Sequence, residues 1–217
     1  MDGGQWLLWA AVLGSGIYHG LSPGMGWPLA VSAGLWEKRT GALVRAMLLL
    51  GVGHLLAMAL VLLPAALLAR LAPRLDEVRI VAGAVVVAFG LYRLVQPRHP
   101  RALARIHPSR LVFWSFLIAT AHGAALLILP VYLGMAQPHG HGHHGVAPMV
   151  AASPIVTASA VAIVHTLAMM ASGGTLAWLI YRYLGLRFLR ASWFNLDTLW
   201  ALSLILAGGV GVGSALV

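Results

Sequence analysis

The 217-residue chain has no cysteine and only five acidic residues, Asp2, Glu37, Asp76, Glu77 and Asp197. The first absence excludes disulfides and thiolate metal sites. The second leaves calcium, magnesium and manganese, which prefer oxygen ligands, with little to hold them. Charge of either sign is scarce, at 9% of residues, where a soluble domain carries about a quarter. What fills the chain is apolar: 60% of residues are hydrophobic and the mean hydropathy is +0.89. Long apolar runs alternate with short basic loops, the pattern of a polytopic α-helical membrane protein. Such a fold is held by hydrogen bonds inside each helix and by close packing between helices. No Ser-His-Asp set, phosphate-cradling Gly loop or dinucleotide fingerprint has its required strand–helix context. The N-terminal stretch MDGGQWLLWAAVLG carries no basic residue, lacks the charged start of a cleaved signal, and is kept as mature chain.

Six apolar segments, near 5–36, 42–69, 78–96, 111–135, 150–182 and 195–217, predict six transmembrane helices in a single domain, residues 1–217. The first and fifth exceed the ~20 residues needed to cross, so each must tilt, break or extend past the bilayer. Pro23, Gly24 and Pro28 predict that the first helix is broken at Pro23-Gly24. Of 14 Lys and Arg, 11 fall after spans one, three and five; only Arg70, Arg74 and Arg79 lie on the other side, beside Asp76 and Glu77. The positive-inside rule then sets those three loops in the cytoplasm and both termini outside, in a cell membrane of the bacterial inner-membrane kind. The net charge of +9 follows from this asymmetry, with no stripe of basic and aromatic residues for nucleic acid. Trp6, Trp9, Trp36, Tyr181, Tyr183, Trp193 and Trp200, near span ends, read as interface anchors.

The chain also repeats itself. Tyr18-His19-Gly20 resembles Ala121-His122-Gly123 at an offset of 103, and His54 to Met58 resembles His165 to Met169 at an offset of 111. The eight-residue difference matches an insertion, Pro138 to Gly145 (PHGHGHHG), in a His-rich loop over 136–148. Repeat one covers about 5–96 and repeat two about 111–217. Three spans reverse the second copy, so the predicted architecture is two inverted three-helix repeats, with a site at the midplane beside broken helices. Span four offers Pro130, near the position equivalent to Pro28, as its counterpart break.

His19, His54, His122 and His165 lie mid-span, where polar groups face the protein interior and need a partner. No acidic residue stands mid-span to supply one. Neutral imidazole suits zinc, nickel, cobalt, copper and iron, so four histidines matched by the repeat point to one shared metal site. Singly, each also fits a helix–helix hydrogen bond. A dication among neutral ligands keeps its full charge, which suits a transient transport site better than a permanent centre. His139, His141, His143 and His144 of the insertion read as an auxiliary metal-collecting loop or as low-complexity drift. His99 and His107 are expected to be solvated. Met25, Met58, Met169 and Met170 read as packing residues that can also serve copper. Ser22, Ser32, Thr120, Thr166, Ser172 and Thr175 either line a path or bond across helices.

Residues 22–63, SPGMGWPLAVSAGLWEKRTGALVRAMLLLGVGHLLAMALVLL, resemble the opening of the lysine-exporter superfamily: Pro23-Gly24 in the first span, then Lys38-Arg39-Thr40-Gly41 in a short basic loop. The resemblance implies six spans as two inverted repeats and a midplane site lined by Pro23, Gly24 and Met25. That superfamily includes amino-acid exporters and metal exporters, some with His-rich loops. This chain departs from both: Met25 stands where the amino-acid exporters typically continue with proline, and the Asp-His pair of nickel/cobalt exporters has no counterpart. The leading expectation is therefore a secondary transporter, exporting a divalent transition-metal cation through His19, His54, His122 and His165 and exchanging protons. Two alternatives stand beside it: a membrane haem or metal-dependent redox protein using the same histidines, and an amino-acid or small-solute exporter with structural histidines. A homo-oligomer is compatible with each.

Overall fold

A computed structural model describes residues 3–71, 75–96, 106–135, 153–184 and 196–216, and every element in them is helical. Helix α1 (Gly3–Leu21) ends in a 3-10 turn, Pro23–Met25, and the chain resumes as α2 (Trp27–Glu37). The expected break at Pro23-Gly24 is this turn. Gly26 takes a left-handed φ of 96°, and its N–H bonds the Pro23 carbonyl while its own carbonyl accepts from Leu29 and Ala30. Pro28, in the first turn of α2, lacks only an N–H that a helix start leaves unused. Lys38, also left-handed, closes α2 by donating to Gly34. Then follow α3 (Thr40–Leu71), α4 (Leu75–Val95), a 3-10 turn at Pro108–Arg110, α5 (Leu111–His122), α6 (Ala124–Met135), α7 (Pro154–Leu179) with a π turn at Ile180–Leu184, and α8 (Leu196–Leu216).

The second break differs from expectation. Pro130 stays inside α6, and the chain bends by 64° at Gly123 instead. Glycine reaches its left-handed φ of 72° without the Cβ clash other residues meet, and its N–H caps the free carbonyls of Ala119 and Thr120. Pro130 is accommodated where α8 offers Gly211, whose missing side chain leaves room for the ring.

Four helices are long and apolar enough to cross a membrane: Thr40–Ala69, Asp76–Val95, Pro154–Leu184 and Thr198–Leu216. The bent pair α5–α6 makes a fifth if it is one span. Large apolar side chains cover the outer faces: Leu48, Val52, Leu56, Leu60 and Leu67 follow one another along α3, and Leu202, Leu206 and Val210 along α8. A surface of this kind is at home in lipid.

Glycines set the helix spacing. A methyl at Gly16 would come within 2.6 Å of the His165 carbonyl, and one at Gly173 within 2.8 Å of the Gly20 carbonyl, so α1 and α7 run parallel with their backbones nearly touching. Gly51 faces Met170 and Gly174 faces Met47, so α3 and α7 run antiparallel. Gly53 lies on Val112 and Ser115 of α5, where the buried Ser115 hydroxyl donates to the Leu50 carbonyl at 2.6 Å. Helix α4 pairs antiparallel with α8 through Gly83 on Gly208 and Gly90 on Ala201. At one end of that pair, buried Arg79 reaches Asp76 at 3.3 Å and Ser214 at 2.7 Å. Without a hydrophobic force between helices in lipid, close contact of this kind is the main source of association.

Gly53→Ala is therefore expected to cost about 1–3 kcal/mol, because the added carbon meets backbone on α5. Gly209→Ala, with nothing within 4 Å, should leave the thermal midpoint in detergent unchanged or slightly raised. Equal midpoints for the two variants would show that the glycine contacts do not hold the bundle.

Candidate metal centre

Two apolar clusters divide the bundle. One contains Val12, Ala57, Met58, Leu62, Ile128, Tyr132, Val161 and their neighbours; the other contains Trp27, Leu29, Leu43, Leu50, Leu111, Ala177 and Ile180. Along α3, His54 falls between Leu50 of the second cluster and Ala57 of the first. Along α7, His165 falls between Ala162 of the first and Ala177 of the second. The polar layer is thus bounded by apolar packing on both sides along these two helices.

His19, His54 and His165 meet in that layer. One ring nitrogen of each lies within 4.8 Å of those of the other two. The ring centroids are 5.1 Å apart for His19–His54, 5.6 Å for His19–His165 and 5.7 Å for His54–His165. All three side chains are buried. Among the described residues no hydrogen-bond partner meets either nitrogen of His19, or Nε2 of His54 and of His165. Buried polar atoms are normally paired, and three histidines with unpaired nitrogens gathered at one point could hold a metal ion.

Neighbouring groups fix some of these rings. The Ser15 hydroxyl donates to the Val12 carbonyl at 2.8 Å and lies 3.1 Å from His165 Nδ1. Its only proton is used, so Nδ1–H of His165 is the donor in the second bond, and Nε2 keeps its lone pair for the centre. His19 packs against Trp200 of α8 at 4.4 Å between centroids with the rings tilted by 47°, and Trp200 Nε1 donates to the His122 carbonyl at 2.8 Å. One indole thereby joins α8 to both histidine-bearing breaks.

The fourth expected ligand stands aside. His122 is buried at the end of α5, and Nδ1 lies 3.0 Å from the Ile118 carbonyl. A carbonyl only accepts, so Nδ1 carries the proton and Nε2 the lone pair. Nε2 points to Gly24, where an added methyl would sit 3.3 Å away. So three of the four mid-span histidines are brought together, and His122 faces the Pro23–Met25 turn. Met25 is buried beside that turn. The loop histidines His139, His141, His143 and His144 lie outside the described residues.

Other expectations resolve individually. Ser172 bonds across helices to the Ile17 carbonyl at 3.0 Å, whereas Thr120 and Thr175 bond back to their own helices. Thr166, beside His165, is buried with its hydroxyl unpaired among the described residues. His107 is exposed and bonds Ser109 at 2.8 Å, as a solvated residue should. Trp200 is no interface anchor: it is 4% exposed and packs on His19. Nothing about a tryptophan in the first turns of a span distinguishes these two roles. Ser15 was not singled out by sequence, and a lone serine on an apolar helix gives no signal of its own.

The chain matches no family model, no curated protein and no solved structure.

Ser15→Ala removes one partner of His165 Nδ1 and leaves the Val12 carbonyl as the other, so it is expected to cost about 0.5–1.5 kcal/mol, the net worth of one hydrogen bond. Ser15→Thr keeps the hydroxyl and should retain most of that stability. Thermal unfolding of the three proteins in detergent tests this; equal losses in both variants would mean the hydroxyl does not hold His165.

Proposed function

We propose that this protein is an integral-membrane secondary transporter of a transition-metal ion, built as six spans in two inverted repeats like the lysine-exporter superfamily. The buried trio of His19, His54 and His165 carries the metal reading: three imidazoles converge in an apolar interior with lone pairs to spare. Neutral imidazole is the form that ligates, so an ion and a proton exclude one another from the same nitrogen.

The helix register supports the repeat. Two helices related by a two-fold axis in the membrane plane cross antiparallel at equivalent residues. In α3–α7, Gly51 meets Met170 and Met47 meets Gly174, an antiparallel contact of the two helices that carry His54 and His165. In α4–α8, Gly90 meets Ala201, positions with the 111-residue spacing of His54 and His165. Gly16 meets Ala168 in α1–α7, and the equivalents of these two residues, Ala119 and Ala57, belong to one buried cluster. The alternating directions agree with cytoplasmic basic loops and termini outside.

The same relation gives the histidines a division of labour. His54 and His165 are each other's equivalents, and His19 and His122 form the second pair. His19 completes the trio here. Exchange of conformation between the repeats brings His122 to the other side of the His54–His165 pair, so the ion keeps three ligands while access changes. A cavity of about 560 Å³ supports an approach from the basic side. Glu37, Arg45 and His107 line it, along with Leu29, Ala46 and Leu111 deeper in. Buried Leu50 occupies the turn of α3 between Ala46 and His54, so the cavity ends short of the trio.

The amino-acid reading needs free donors at the start of α2 to receive a carboxylate. There Leu29 and Ala30 already donate to Gly26, and Pro28 has no N–H to give.

Elemental analysis and proteoliposome flux test the proposal. Wild type should carry metal and move it, and His54→Ala should lose both. His122→Ala should keep equilibrium binding while flux falls about tenfold or more. Metal-free wild type with flux indifferent to these substitutions overturns the transporter reading, and a Soret band in the absorption spectrum would put haem in its place. Equal losses of binding and flux in His122→Ala would overturn the exchange of ligands.

A further inference from the structure

Resting on the reading of the trio as a metal site, we propose that its cargo is a soft monovalent cation, cuprous copper, rather than a dication. The argument is one of charge and coordination number. His19, His54 and His165 supply three nitrogen donors and no formal charge. Every described carboxylate is exposed: Glu37 pairs with Arg45 at 2.9 Å, Asp76 reaches Arg79, and Glu77 opens α4 on the outer side. Asp197, whose side chain lies outside the described residues, begins α8 one turn before Trp200. Among the described residues, therefore, none neutralises the charge of an ion bound at the trio.

Burial penalises that charge steeply. The cost of moving an ion from water into a poorly polarisable medium grows with the square of its charge, so a dication meets roughly four times the penalty of a monocation of like size. Imidazole donors recover part of this for either ion, but no described group neutralises the second charge. Zinc also expects a fourth ligand, and an anion or water serves where protein offers only three. Cuprous copper accepts three neutral donors in a plane.

The surroundings of the trio are soft as well as neutral. Met58 follows His54, and Met169 follows His165, by four residues, one turn along the same helix face. Both are buried. Thioether sulfur favours cuprous ions over harder dications and adds no charge. The indole of Trp200, against His19, contributes a polarisable face beside the ion, and cations are attracted to such faces. Each of these features stabilises a monocation without neutralising a dication.

The test is a titration of full-length protein in detergent under anaerobic reducing conditions. Cuprous ion is competed against a chromophoric cuprous chelator, in parallel with silver(I), zinc, nickel and cobalt. Ions held by the loop histidines cancel when wild type is compared with His54→Ala and with His19→Asn, each checked for folding by gel filtration. Wild type should hold one more cuprous ion than either variant, silver should displace it, and zinc should do so only in about 100-fold excess. Trp200 emission should change on binding, and Trp200→Phe should remove that change. Should zinc, nickel or cobalt account for the histidine-dependent equivalent, undisplaced by cuprous ion, the monovalent proposal fails while the metal site stands. Should no ion show a histidine-dependent equivalent, both fail. If both variants fail to fold, the wild-type competition decides, read through Trp200: displacement of zinc by cuprous ion supports the proposal and the reverse order overturns it.

Discussion

Three imidazoles are held together where no described carboxylate answers them, and much of the structure exists to make that tolerable. An unpaired buried polar group costs about 1–3 kcal/mol, and here several nitrogens carry that cost at one place. The compensation comes from packing on either side. Met58 and Leu62 lie beyond His54 in one direction and Leu50 with Trp27 in the other, all of them almost wholly buried. Backbones approach closely enough to gather the rings because α1 presents Gly16 and Gly20 to α7, and α3 presents Gly51 to α7 and Gly53 to α5. A side chain at Gly16, Gly20 or Gly51 would press on the helix that carries His165, and one at Gly53 would press α3 away from α5.

The helix breaks serve the same end by different means. In the first, proline and glycine interrupt the ladder, but the turn rebuilds it: Ser22 donates to His19, Met25 to Ser22 and Gly26 to Pro23. These backbone groups are thus satisfied within the turn itself. In the second, a single left-handed glycine both caps α5 and starts α6. His19 and His122 stand just before the two breaks, at the ends of helices rather than in their middles. A histidine there moves with its helix end, whereas His54 and His165 sit in unbroken helices and are fixed by packing on both sides. Trp200 spans the two by packing on one ring and bonding the backbone of the other residue.

Depth was legible in the sequence; direction around each helix was not. The apolar runs gave the helical class, the first break and the level of the four histidines. Whether a side chain turns to the centre depends on rotation about the helix axis, which glycine contacts set and composition does not announce. Hence His122 was grouped with its three fellows although it turns toward Gly24. Trp200 shows the same limit, since its place early in α8 suits an interface belt equally well. Pro130 was read as a break because proline removes a hydrogen bond, yet Gly211 gives its ring room and Gly123 takes the bend at lower steric cost. Length and apolarity single out four helices, or five with the bent pair. The first segment, divided at Pro23–Met25, is not among them.

On the proposed reading of the trio as a transport site, a neutral site also has consequences for release. A carboxylate would hold a cation through charge, and its grip would persist when water entered. Imidazoles enclosed by apolar packing would hold an ion largely because water is kept from competing, so their grip would depend on the apolar clusters remaining closed. Admission of water past Leu50 and Trp27 would offer the ion its hydration shell at the moment a path opened. Binding and release are then one event seen from two sides, the drying and wetting of a single layer. Passage needs binding favourable enough to enter and weak enough to leave, and a centre without fixed charge meets both demands through the packing around it.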